Sequence, residues 1–166
     1  MINNQFTSEL DVRRATVEDL PTITQLAVKL TVQHANYDRR RFEIATFEPL
    51  DENHIDFLSA QMRDPGTIFL VAELSERIVG YAFLRLEEES LVALLKEGVW
   101  LHDIYFEEAA RGHGIGRKFF EAIIEEAKNL GSDSLMLQVA AENTSAQQFF
   151  AKIGFRQTMH EMRLDF

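Results

Sequence analysis

Cysteine is absent from this 166-residue chain, which excludes disulfides, thiolate metal centres and a cysteine nucleophile at once. Stability must come from packing. No apolar run approaches the length that spans a bilayer, and the opening MINNQFTSEL has neither the basic nor the apolar region of a secretory leader. A cytoplasmic chain without membrane association is the expectation. Positive charge is scarce as well, with 17 Lys and Arg against 27 Asp and Glu and a formal net charge of -10. Such a field repels phosphate backbones and argues against a nucleic-acid partner. It would draw in a cationic amine, although an acidic surface also serves plain solubility. Five scattered histidines without a ligand-spaced pair argue against a metal site.

What is present reads as one globular domain over residues 1–166, with 46% apolar and 27% charged residues and no repeat, low-complexity tract or linker. Leu10 to Arg14 reads as a strand, and Leu20, Ile23, Leu26, Ala27 and Leu30 recur at helical spacing, with a start near Asp19 because Pro21 fits only a first turn. A polar connection, HANYDRRRF, leads from His34 to Phe42, and a second helix carries Ile55, Leu58 and Met62 until Pro65 and Gly66 stop it. TIFLVAEL and IVGYAFLRL form a hairpin, and Trp100 to Phe106 another strand. A helix beyond Gly112 carries Ile115, Phe119, Ile123, Ala127 and Leu130 and closes at Gly131. Leu135 to Val139 reads as a strand buried on both faces, Asn143 caps a helix ending at Gly154, and Phe155 to Phe166 supplies one or two closing strands. The order β-α-α-β-β-β-α-β-α-β predicts an α/β (α+β) domain, a mixed and mostly antiparallel sheet flanked by helices.

The segment richest in chemistry is LHDIYFEEAARGHGIGRKFFEAIIEEA. A strand there runs through an acidic turn into Arg111, Gly112, His113, Gly114, Ile115, Gly116 and Arg117, and then into a helix. Glycines let a ligand approach the backbone, first-turn N–H groups lack helical partners, and the helix dipole is positive at that end. Arg111 adds a charge whose fork suits phosphate oxygens. An anion is the expected occupant. A dinucleotide fingerprint from Gly112 would need glycine or alanine where Arg117 stands, and no Gly-Lys-Ser or Gly-Lys-Thr exists for a Walker loop.

RGHGIG matches the R/Q-x-x-G-x-G/A signature of the GNAT acyltransferases, the strand LHDIYF resembles the one that precedes this loop in the family, and ENTSAQQFFAKIGF resembles its N-x-x-A-x-x-(F/L)-Y-x-K-x-G-F segment. Three matching segments in order identify the chain as resembling that superfamily. The resemblance implies acetyl transfer from acetyl-CoA to a primary amine of a small molecule or to a peptide amino group, and makes a homodimer reasonable. It implies that N–H groups from Gly112 to Arg117 hold the coenzyme A pyrophosphate, that backbone groups at Ile104 and Phe106 pair with pantetheine, and that Asn143 contacts the cofactor while capping its helix. His34, Tyr37 and Arg39 would wall the acceptor pocket, or else belong to a solvated loop.

The chemistry needs a proton acceptor, for which His102 and Asp103 are the candidates. Strand alternation sends them to opposite faces unless a bulge brings both to the cleft. Histidine has the better-matched ordinary pKa, about 6.5 against ~3.9 for aspartate. The pair resembles the acidic pair of spermidine/spermine N-acetyltransferases, with histidine in its first place. The family's tyrosine, which protonates the departing thiolate, is here Phe150, a position that the resemblance implies contacts the cofactor. Two other readings stay open: a coenzyme A-binding regulatory or structural module with little turnover, and a site for another phosphorylated ligand.

Overall fold

The computed structural model describes residues 10–111 and 114–166. Strand β1 (Asp11–Arg14) leads through a short 3-10 turn into α1 (Leu20–Tyr37), followed by α2 (Leu50–Gln61), β2 (Thr67–Leu74), β3 (Arg77–Glu87), β4 (Gly98–Phe106), α3 (Ile115–Asn129), β5 (Leu135–Leu137) and α4 (Thr144–Ile153). The strands form one sheet in the order β1-β2-β3-β4-β5, antiparallel except for the parallel β4–β5 pair. The mixed, mostly antiparallel sheet flanked by helices is as expected. Asp19 caps α1, with Pro21 in its first turn. The β2–β3 turn is made by Ser75 and Glu76, both with positive φ and neither glycine, the backbone shape that matches the twist of a two-residue hairpin.

Both faces of the sheet are covered, which explains why TIFLVAEL is a nearly continuous apolar run although its strand pairs antiparallel. Phe69, Val71, Tyr81 and Phe83 pack with Ile23, Leu26 and Leu30 of α1 and Leu58 of α2. Their neighbours Leu70, Ala82, Leu84, Val99 and Leu101 face the opposite way, onto Phe119, Phe120 and Ile123 of α3 and Phe150 of α4. Phe119, Phe120 and Ile123 are at most 1% exposed, and burying each contributes about 1.5–3 kcal/mol. That apolar stripe pins the start of α3 beside the end of β4.

Three expectations need correction. Helix α1 continues to Tyr37, so His34 and Tyr37 sit on its last turns and not in a loop; Ala35 is buried there, and His34 stacks on Phe42 with centroids 5.0 Å apart. Strand β5 is three residues long and half-buried throughout, because β4 borders it on one side only. No strand follows α4 among the described residues. Phe155 packs against Phe120 and Phe150, and residues 161–165 meet the α1–α2 connection, where Arg40 pairs with Asp165 at 3.1 Å and Arg41 with Glu161, while Met162, Leu164 and Phe166 are exposed. Alternation alone does not make a strand when no neighbouring ladder takes its backbone.

Candidate active site

The cleft arises from a mismatch in strand length. The β4–β5 ladder joins Val99, Trp100 and Leu101 to Leu135, Met136 and Leu137 and stops there, while β4 continues five residues further to Phe106. Beyond Leu101 the strands part, leaving the β5-facing edge of β4 outside any described ladder. A cavity of about 500 Å³ opens in the gap, walled by the end of α1, by β4, and by the starts of α3 and α4.

One end of the cavity is the start of α3, where Gly114, Gly116 and Arg117 line the wall. Gly114 is the N-cap and has φ +77°, and a Cβ placed on it would meet nothing within 4 Å. Glycine is thus required there by backbone conformation, and its exposed side is open to a ligand. Gly116 is glycine for another reason: a Cβ would come within 3.3 Å of the Phe149 ring of α4. The two helices approach through it. Ile115 turns its side chain into the core, so only its backbone is offered to the cleft. Gly112 and His113, also expected in this anion site, lie outside the described residues.

Arg111 lines the same end, with its guanidinium 5.7 Å from the Tyr105 ring centroid. Its Nε and Nη2 donate to the Phe106 carbonyl at 3.1 and 3.0 Å. That carbonyl therefore already has a partner, whereas among the described residues no side chain bonds the Ile104 backbone. The Phe106 ring packs edge-on against Phe119 at 5.0 Å, which fixes the end of β4 over α3. Asn143 caps α4 by accepting from the Ala146 N–H at 3.2 Å, and its side chain also lines the cavity. Phe150 lines it too, but is 7% exposed and packed among Phe120, Phe149 and Phe155 at centroid distances of 5.6–5.9 Å.

At the other end β4 bulges. Phe83 pairs with Asp103 but Leu84 with Leu101, so His102 is the extra residue. The bulge resolves the question of faces, since both His102 and Asp103 lie on the side of Tyr81 and Phe83. The His102 ring stacks on Phe83 at 5.0 Å and 28°, and its Nε2 lies 2.8 Å from Glu87 Oε1. Asp103 Oδ2 accepts the Tyr81 hydroxyl hydrogen at 2.8 Å. Burial pushes the Asp103 carboxyl above the usual carboxylate range, against the Tyr81 hydrogen bond and the nearby histidines, which act the other way. Burial likewise raises the Tyr81 phenol well above its ordinary value, and the Asp103 charge adds to that. His102 reaches the cavity wall and Asp103 does not.

Across the gap, His34 lines the cavity from α1, and burial lowers its pKa while Asp103 opposes the shift. Tyr37 stands behind the wall, where its hydroxyl accepts from Gln33 Nε2 at 2.7 Å; Gln33 itself lines the cleft. The partners Glu87, Tyr81 and Gln33 were not evident from sequence. Tyr81, a hydroxyl inside an otherwise apolar strand, was the one detectable signal. The others join the site only through pairing of β3 with β4 and docking of α1.

Comparison with known proteins adds four findings. Residues 31–155 match the Acetyltransferase (GNAT) family. An uncharacterised N-acetyltransferase of Lactobacillus delbrueckii subsp. lactis is 23% identical over 137 residues, covering 82% of this chain and 79% of the relative. Among solved structures, a tetramutant of the BH1408 protein of Bacillus halodurans superposes with TM-score 0.77 at 26% identity, covering 94% of this chain and 99% of that one. Aminoglycoside N-acetyltransferase AAC(6')-Iy, solved in complex with CoA, gives TM-score 0.77 at 16% identity over 98% and 97% of the two chains, a likeness of fold.

Proposed function

The chain belongs to the acetyltransferase (GNAT) family, and from that premise we propose that it is a one-domain N-acetyltransferase moving an acetyl group from acetyl-CoA to the primary amine of a small molecule or peptide. The observation that carries this reading is the gap between β4 and β5, with the start of α3 at one end and a histidine at the other. The residues present fit coenzyme A. The open glycine cap at Gly114, the first-turn N–H groups of α3 and the cations Arg111 and Arg117 suit a pyrophosphate, and about half a unit of positive charge from the helix dipole adds to them. The unladdered edge of β4 offers the Ile104 backbone to an extended chain of amides, as another strand would use it. Asn143 has used its side-chain oxygen as a cap and keeps its NH₂ for the cleft.

Acetyl-CoA would supply an activated thioester; the chain must orient it and take a proton from the amine. His102 is the acceptor in this reading, because it lines the cavity and a neutral imidazole carries a basic ring nitrogen. Asp103 is held by Tyr81 and adds negative charge behind an incoming ammonium. A strand N–H at the bulge would stabilise charge developing on the carbonyl oxygen. Phe150 offers no proton to the departing thiolate, so water serves it; a thiol's ordinary pKa near 8.5 makes this adequate. Phe150 also motivates the second reading, a coenzyme A-binding module without turnover. Purified protein with acetyl-CoA and a panel of amines, followed by thiol release, decides between them. Release with at least one amine supports transfer, and tight coenzyme A binding without release on any amine supports the second reading.

A further inference from the structure

We infer that Glu87 is a positioning residue for His102, fixing which ring nitrogen faces the acceptor amine. The inference rests on the acetyl-transfer reading, with His102 taking the proton. Glu87 ends β3 and His102 is the bulged residue of β4, fifteen positions later, so pairing of the two strands brings them together. The carboxylate oxygen Oε1 stands 2.8 Å from Nε2 of the ring, and Phe83 stacks against the ring face. Those two contacts hold the imidazole in one plane and one rotation.

A carboxylate only accepts hydrogen bonds, so in the neutral ring the proton sits on Nε2 and Nδ1 keeps its lone pair. Nδ1 is then the atom that takes a proton from the amine, while Nε2–H continues to donate to Glu87. The Glu87 charge also favours the imidazolium that results. Glu87 is itself held, since Arg85 Nε lies 3.8 Å from the same Oε1 and Arg85 Nη2 lies 3.5 Å from Asp64 beyond α2. His34 faces the cleft from α1. The exposure of both partners, 37% and 35%, makes this pair a weak contributor to folding, so its consequence lies in orientation.

The experiment pairs nitrogen-detected NMR of the ring with kinetics. In the unliganded protein at pH 8, the His102 signals, assigned by their loss in His102→Gln, should be those of a ring protonated at Nε2. In Glu87→Gln the ring should become a mixture of tautomers. kcat/KM should then fall about tenfold, part of the roughly 10²–10⁴-fold that acid–base catalysis supplies. In a His102→Gln background, Glu87→Gln should change nothing further, and Glu87→Asp should restore part of the loss. An Nδ1–H ring in the wild-type protein, or an unaltered tautomer in Glu87→Gln, overturns the inference. Full activity of His102→Gln overturns instead the reading that His102 is the acceptor, whatever the ring spectrum.

Discussion

The two ends of the cleft are built in opposite ways. At the α3 end most of the site comes from one stretch of chain, with a left-handed glycine, the amides of a first turn and two arginines between Arg111 and Arg117, and Asn143 of α4 beside them. At the β4 end the important neighbours come from three elements and a connection, with His102 and Asp103 on β4, Tyr81 and Glu87 on β3, His34 on α1 and, through Arg85, Asp64 between α2 and β2. The first end is a backbone device that any sequence with the right glycines carries. The second depends on register, and on a bulge that places two consecutive residues on one face. Binding should therefore be lost by changing the first, and turnover by changing the second.

The largest expected effect tests the β4 end. His102→Ala should lower kcat/KM by roughly 10²-fold or more, with coenzyme A affinity by calorimetry nearly unchanged. A parallel loss of affinity would merge the two ends. Gly114→Val should do the reverse, weakening coenzyme A binding about 30-fold as charge-assisted hydrogen bonds are displaced. A β-branched side chain at φ +77° also strains the cap, so circular dichroism must first confirm that the variant is folded. Near-normal affinity in that folded variant would remove the pyrophosphate from this end.

Asp103→Asn is expected to lower kcat/KM less than tenfold, about one order below His102→Ala, and to stabilise the protein. Because burial raises the Asp103 pKa in the folded chain, its contribution is most favourable below the ordinary carboxylate pKa and is lost as pH rises through the raised folded value. At pH 7 the buried charge opposes folding. The amide removes that charge while its oxygen can still accept from Tyr81, so Tm should rise by roughly 2–4 °C at pH 7, the equivalent of about 1 kcal/mol. Near pH 3 the gain should vanish. An equal gain at both pH values would attribute it to packing.

The smallest expected effect joins the two ends. Phe150→Tyr adds a hydroxyl to a ring that lines the cavity while packed among three phenylalanines. If that hydroxyl reaches the departing sulfur, kcat should rise on the order of 3-fold with KM unchanged. A lower Tm with no change in kcat would mean that the ring serves packing alone.

Much of this was legible in the sequence because it is local. Period-3.6 and near-continuous apolar runs marked four helices and five strands, Pro21 and Gly131 marked helix ends, and the glycines and arginines from Arg111 to Arg117 gave the expectation of an anion site. Gly116 was legible as a glycine but not for its reason, which is the Phe149 ring of another helix. The closing strand expected after Gly154 failed because alternation reports what a segment could pair with, and not whether a ladder is there. The chain's own order of residues thus determined the elements, the loop–helix junction and the family. Only the tertiary structure decided that β5 stops after three residues and opens the cleft, that a bulge turns His102 and Asp103 the same way, and that Glu87 and Tyr81 become their partners. Contacts between strands depend on register, and register is set by the packing of both faces together.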